Sequence, residues 1–284
     1  MELFDEGLHS GVNLALNVEK VLYREKTDLQ DLMIFENSQF GRVMSLDGAV
    51  QTTEKDEFIY HEMFVHVPVF AHGNVKKALI VGGGDGGAAR QFMKHDGIEV
   101  TLVDIDRTVI ELSQKFMPSI SGGAFQNPRL NVVIADGCQF VKNADVKWDV
   151  IIVDSTDPHG PGEVLYTEEF YSDCKSCISD GGIIVTQNGV PFVQEPELRT
   201  SYDRLNTLFS DVSFYLAAIP SYVGGSMAFG WATNDITLRK LALLGITNRY
   251  VEAGIETDYY TPEVHQAAFS LPLHIQRMLT KDLA

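Results

Sequence analysis

The chain has 284 residues, enough for one large core and a smaller one beside it, and carries 39 Asp and Glu against 22 Lys and Arg, a formal charge of −17. That field repels phosphate backbones and anionic lipid and attracts cations, so neither nucleic acid nor a membrane surface is an expected partner. No apolar run reaches membrane-spanning length and the opening MELFDEGLHS lacks a basic or apolar leader pattern, so a cytoplasmic protein is expected.

Residues 1–55 read as a small unit of antiparallel β-hairpins, and residues 56–284 as a second, α/β domain. In the first, the runs KVLYREKT, DLQDLMIFEN, GRVMSLDG and AVQTTEK are separated by Asn37, Gly41 and the Asp47-Gly48 pair. DEFIYHEMFVHVPVF then predicts a helix leading into the second domain. From Val75 onward, apolar strands alternate with helical segments: KALIVGG, EVTLVDID, LNVVIAD, WDVIIVDS, GIIVTQN, VSFYLAAIP and SMAFGWAT. Near-continuous apolar strands mark a doubly wound parallel sheet buried on both faces. The last two strands lie close enough to form a hairpin, so the sheet is expected to end with an antiparallel strand. Cys138, Cys174 and Cys177 make no disulfide framework, and the last two fall late in the helical run EEFYSDCKSCI, where a thiol packs rather than reacts.

The turn IVGGGDGGAAR follows the first strand of the second domain. Gly82, Gly84 and Gly87 match G-x-G-x-x-G, and Asp104 follows about 20 residues on, at the end of the next strand, where an acid binds ribose hydroxyls. That pattern alone describes a Rossmann-like dinucleotide site. Asp85 conflicts with it, because a pyrophosphate would meet a carboxylate where it should meet only N–H groups. A nucleoside without phosphate removes the conflict, and S-adenosylmethionine and its relatives carry a sulfonium and an amine that an acidic turn can hold. Asp136-Gly137 ends the third strand, where it can receive the adenine amine or cap a helix. Asp154 and Asp157, in DSTDP, end the fourth. Ligands of open α/β sheets bind at the carboxyl ends of strands, so these acids project into one site. Such a rim is hostile to the α-carboxylate of S-adenosylmethionine and suits a decarboxylated donor with a cationic amine acceptor.

Together GGGDGG, DSTDPHGP, YHEM, IPSY and the closing YYTPEVHQAAFSLP resemble the spermidine synthase family of aminopropyltransferases, in order and at family spacing over nearly the whole chain. The resemblance implies a small N-terminal β-domain, a class I methyltransferase-type doubly wound sheet, and a homodimer or homotetramer. It also implies transfer of an aminopropyl group from decarboxylated S-adenosylmethionine, a co-substrate and not a cofactor, to putrescine, giving spermidine and 5'-methylthioadenosine. Carried onto this chain, it implies that Gln30, Asp104, Asp136, Gly137 and Pro161 contact the methylthioadenosine part, with Gln51 a further candidate. Asp85 and His61 would hold the aminopropyl chain, Tyr60, Asp157, Gln187 and Tyr222 would line the acceptor-amine site, and Asp154 would be the general base. The chain departs from the family in having Asp104 where Glu is common and Gln91 where Glu is frequent.

His61, Glu62 and His66 have the spacing H-E-x-x-x-H, which does not place two histidines at i and i+4, so no metal is expected. Three rival readings share parts of the pattern: a putrescine N-methyltransferase, an NAD enzyme and a non-catalytic nucleoside-binding module. The first needs a pocket for the donor carboxylate; the other two predict no methylthioadenosine from a decarboxylated donor and a diamine.

Overall fold

The computed structural model describes residues 2–9, 11–27, 29–158 and 160–280. Six strands come first. β1 (Glu2–His9) and β2 (Val12–Val18) form an antiparallel hairpin, followed by a four-stranded antiparallel sheet of β3 (Lys20–Lys26), β4 (Asp31–Asn37), β5 (Gly41–Leu46) and β6 (Ala49–Thr53). Asp47 and Gly48 both adopt positive φ (50° and 79°) between β5 and β6, as a two-residue hairpin turn demands. The first hairpin was not among the expected strands. Its signal is the alternation of Leu14, Leu16 and Val18, whose inward side chains pack with Phe4, Met33 and Phe35. Charged neighbours along β1 dilute that pattern.

Helix α1 (Glu57–His72) is buried along nearly its whole length. It packs on the sheet on one side and on other helices on the other, which is why its apolar residues show mixed spacing instead of a single stripe. The main sheet then forms from β7 (Lys77–Gly82), β8 (Glu99–Asp104), β9 (Leu130–Ile134), β10 (Trp148–Asp154), β11 (Ile178–Gln187), β12 (Asp211–Ala218) and β13 (Ser226–Thr233), in the order β12-β13-β11-β10-β7-β8-β9. Strands β9, β8, β7, β10 and β11 are mutually parallel, while β13 is antiparallel to both its neighbours. The expectation that the antiparallel strand would end the sheet is therefore corrected. β12 is the edge strand and β13 lies inside it, because the crossover from β11 leaves a gap one strand wide that the returning hairpin arm fills.

Between the strands run α2 (Gly87–Met93), α3 (Arg107–Phe116), α4 (Pro118–Ser121), α5 (Gly137–Lys142), α6 (Glu168–Ser176) and α7 (Glu195–Leu208); α8 (Leu243–Ala253), α9 (Pro262–Ala268) and α10 (Leu273–Leu279) follow the sheet. Alternation along the strands feeds two cores. Ile80, Leu102, Val150 and Ile152 meet α1 on one face, and Leu79, Val81, Ile151 and Val153 meet α6 and α7 on the other. Cys174 and Cys177 are buried in the second core.

Chain order reverses between β7 and β10, whose carboxyl ends carry Gly82 opposite Asp154. There the two backbones nearly touch: a Cβ on Gly82, at φ 84°, would stand 2.1 Å from the Asp154 carbonyl oxygen. Gly82→Ala is expected to cost about 2 kcal/mol or more through combined left-handed strain and collision. A urea-unfolding midpoint equal to that of the parent would show that the strand ends are free to part.

Candidate active site

A cavity of about 700 Å³ opens at the carboxyl ends of β7, β8, β10 and β11, and its outer wall is made by the N-terminal strands. Gln30, Gln51, Tyr60, His61, Gly82, Gly84 and Asp85 line it, as do Asp104, Asp136, Gly137, Asp154, Asp157, Gln187 and Tyr222. Two expected residues stand apart. Gly87 is outside the lining. A Cβ there would lie 2.2 Å from the His61 ring, so the third glycine makes room for a histidine and not for a ligand. Pro161 falls in the 3-10 segment Gly160–Tyr166, with its side chain outside the described residues.

On the β8 side, the Asp106 N–H donates to Asp104 Oδ1 at 2.8 Å, and a Cβ on Gly84 would stand 2.7 Å from the other carboxylate oxygen. The bare glycine thus admits the Asp104 carboxylate into the turn, where burial pushes its pKa up to about 6. Gln30 reaches across from the N-terminal sheet and donates to Asp106 Oδ2 at 2.7 Å. Asp106 in turn caps α3 through the Thr108 N–H at 2.8 Å. Sequence reasoning passed over Asp106, although its place just before the helical run RTVIEL is an N-cap signal. Asp136 lines the cavity and accepts from the Gln139 N–H at 3.1 Å as the cap of α5.

In the glycine turn, Asp85 Oδ1 accepts the Gly87 N–H at 2.8 Å, and its Oδ2 lies 3.4 Å from His61 Nε2. His61 Nδ1 meets Glu57 at 2.7 Å, and Glu57 is held by Arg90 at 2.8 and 2.9 Å. Burial works against a charge on the imidazole, but Asp85 and then Glu57 outweigh it and raise its pKa to about 10. Burial likewise favours a neutral Asp85, yet His61 and the Gly87 N–H hold its carboxyl below the usual range. Glu57 and Arg90 were not foreseen, since their pairing depends on α1 and α2 lying side by side. Glu62 and His66 are engaged elsewhere, His66 Nδ1 lying 2.9 Å from His95 Nε2. Both Glu62 oxygens are taken by the N–H groups of Asp258, Tyr259 and Tyr260 at 2.8–2.9 Å.

On the β10 side, the Tyr60 hydroxyl donates to Asp154 Oδ1 at 2.7 Å, while Oδ2 lies over the turn, 3.0 Å from where a Cβ on Gly83 would be. Burial first and the neighbouring Asp85 second push the Asp154 carboxyl up to about 6. Tyr222 packs edge-on to Tyr60 and donates its hydroxyl to the Gln51 carbonyl at 2.7 Å. Gln187 donates to Asp157 Oδ1 at 2.9 Å. Glu6, on the unforeseen first hairpin, also lines the cavity and accepts the Val50 N–H at 2.6 Å; burial raises its pKa.

Comparison with known proteins bears on what this arrangement does. A family model described as "Spermine/spermidine synthase domain" matches residues 57–240, and one described as "Spermidine synthase tetramerisation domain" matches residues 3–54. The chain belongs to the spermine/spermidine synthase family. Among its relatives, the polyamine aminopropyltransferase of Pseudomonas syringae pv. tomato is 51% identical over 282 residues, 99% of each chain. That of Pectobacterium carotovorum is 51% identical over 275 residues, 96% of each. A crystal structure of spermidine synthase in complex with the transition state analogue AdoDATO superposes with a TM-score of 0.93 at 37% identity, covering 98% of this chain and 94% of that one. The spermidine synthase of Thermotoga maritima gives 0.89 at 36% identity, with the same coverage. The cavity of this family member sits on a methyltransferase-like sheet and is walled by the N-terminal β-strands.

Because the folded pKa of Asp154 is raised from 3.8 to about 6, its contribution to stability is fully present below the unfolded value and is lost as pH rises through about 6. Asp154→Asn is neutral at every pH. The variant is therefore expected to be more stable than the parent at pH 8, by about 1–3 kcal/mol, with the gap closing toward pH 4. Chemical denaturation at the two pH values checks this; a gap independent of pH would show that Asp154 is not electrostatically strained.

Proposed function

We propose that the protein transfers the aminopropyl group of decarboxylated S-adenosylmethionine to putrescine, releasing spermidine and 5'-methylthioadenosine. One observation carries the reading: among the described residues, the cavity lining holds nine Asp and Glu and no Lys or Arg. Such a lining favours a sulfonium, a primary amine and a diamine, and it lacks a free Lys or Arg for the α-carboxylate that an S-adenosylmethionine-dependent methyltransferase must hold, the His61 imidazolium being engaged by Glu57 and Asp85. In this reading no cofactor is required and the protein is a cytoplasmic homodimer or homotetramer. The match of residues 3–54 to a tetramerisation model supports an oligomer.

The chemistry follows from the charge states. The amine lone pair attacks the carbon beside the sulfonium, the C–S bond breaks, and its electrons leave on sulfur as a neutral thioether that needs no acid. The demand lies with the nucleophile, since an alkylamine is free base less than about one time in a thousand at pH 7. Asp154 takes that proton. Tyr60 fixes its Oδ1, leaving Oδ2 over the glycine turn. Its raised pKa makes it a stronger base than an ordinary aspartate. Asp104, Gln30, Gln51, Asp136 and Gly137 hold the nucleoside, Asp85 and His61 the aminopropyl chain, and Asp157, Gln187, Tyr60 and Tyr222 the acceptor.

Incubation with decarboxylated S-adenosylmethionine and putrescine, with products identified by mass, separates this reading from methyl transfer and from simple nucleoside binding. Asp154→Asn should lower kcat by about 10²–10⁴, with donor binding little changed. A variant retaining more than about a tenth of the parental kcat at pH 7 removes Asp154 as the base. Asp85→Asn should weaken the decarboxylated donor by about 1–3 kcal/mol and narrow discrimination against S-adenosylmethionine. Unchanged calorimetric preference between the two donors would place selectivity elsewhere.

A further inference from the structure

The cavity wall at Gln187 is fixed from behind. Its Nε2 donates to Asp157 Oδ1 at 2.9 Å, and its Oε1 lies 2.5 Å from the Tyr166 hydroxyl. The polarity of this chain is forced. An ionised carboxylate only accepts, so the amide nitrogen faces Asp157, the amide oxygen faces Tyr166, and the phenol donates. Tyr166 is 5% exposed and stands outside the cavity lining. Burial raises its pKa well above the ordinary value, so it remains a donor at any working pH. It closes the 3-10 segment Gly160–Tyr166, where the Arg204 guanidinium donates to its carbonyl. Its hydroxyl also lies 3.2 Å from the Thr156 carbonyl and 3.4 Å from Ser155 Oγ. The loop that leaves Asp154 is thereby clasped at its far end onto its own beginning and onto the end of β11.

We propose that Tyr166 is a positioning residue for acceptor specificity: by fixing the Gln187 amide it holds Asp157 in the orientation that receives the second ammonium of a diamine. The inference rests on the aminopropyl-transfer reading. A diamine brings two cationic ends, and only one can react at Asp154. Asp157 lies three residues further along the same loop, with Oδ1 taken by Gln187 and no hydrogen bond to Oδ2 from among the described residues. Without the phenol, the amide oxygen loses its donor, and the amide can turn its oxygen toward Asp157, repelling the carboxylate it now steadies.

Tyr166→Phe keeps the ring and removes one oxygen. In calorimetric titrations of protein saturated with 5'-methylthioadenosine, the variant should bind putrescine about three- to tenfold more weakly than the parent does. Butylamine, which lacks the second ammonium, should bind both alike, and methylthioadenosine affinity should not move. In a Gln187→Met background the effect of Tyr166→Phe should vanish, because it passes through the amide. Equal weakening of both amines, putrescine affinity retained within about twofold, or additive losses in the double variant would each overturn the proposal. So would a parent that binds no putrescine. Since the readout is equilibrium binding, a parent that binds putrescine but forms no spermidine defeats the aminopropyl-transfer reading alone.

Discussion

The rest of this structure depends on keeping several carboxylates close together at one end of a sheet. Asp85, Asp104, Asp154 and Asp157 belong to three strand ends that the topology makes neighbours; Asp85 raises the cost of charging Asp104, and Asp85 and Asp104 raise that of charging Asp154. The fold answers with a limited set of donors: the Tyr60 hydroxyl for Asp154, the Asp106 N–H for Asp104, the Gly87 N–H and His61 for Asp85, and the Gln187 amide for Asp157. These are enough to hold the groups in place and too few to neutralise them. A tight cluster of partly compensated anions is a standing demand for a polycation, and specificity here amounts to that demand being met.

Much of the surrounding architecture serves those donors. Glycines at 82, 84 and 87 are needed because a carbonyl, a carboxylate and an imidazole respectively occupy the space of their missing side chains. Glu57 and Arg90 brace His61 from behind as Tyr166 braces Gln187. Glu57, Arg90 and Tyr166 themselves stand outside the cavity lining. The outer wall depends on longer connections: Gln30 tied to Asp106, Tyr222 to the Gln51 carbonyl, and the Ser221 N–H to Asp56 at 2.7 Å.

The sequence disclosed the parts of this arrangement that obey local rules. Strands with continuous apolar runs, a glycine turn after the first of them, and an acid at each following strand end could be placed without a structure, because periodicity and turn chemistry operate over a few residues. The hairpin β1–β2 escaped because charges interrupt its alternation, and Glu6 escaped with it. Arg90 and Tyr166 were illegible for another reason: their meaning comes from Glu57 and Gln187, 33 and 21 residues away on other elements, whereas Glu57 stands one helical turn before His61 and carried a local signal that was passed over. The position of β13 is a topological fact of the same kind, since a hairpin can be read from its turn but not the gap it fills.

The inner face of the N-terminal sheet has a core that it does not own. Leu32, Ile34, Met44 and Leu46 are buried together with Val109, Leu112, Met117 and Ile120, which lie on α3, on α4 and at the junction between them. On the ribosome this sheet emerges before α3 and α4, and the residues that cover this face are made only after β7 and β8 have appeared. Until then the nascent chain presents an uncovered apolar surface, the kind of surface that chaperones recognise and that aggregates if left waiting. The time taken to translate the intervening segment therefore sets the interval during which the newborn polypeptide is most vulnerable.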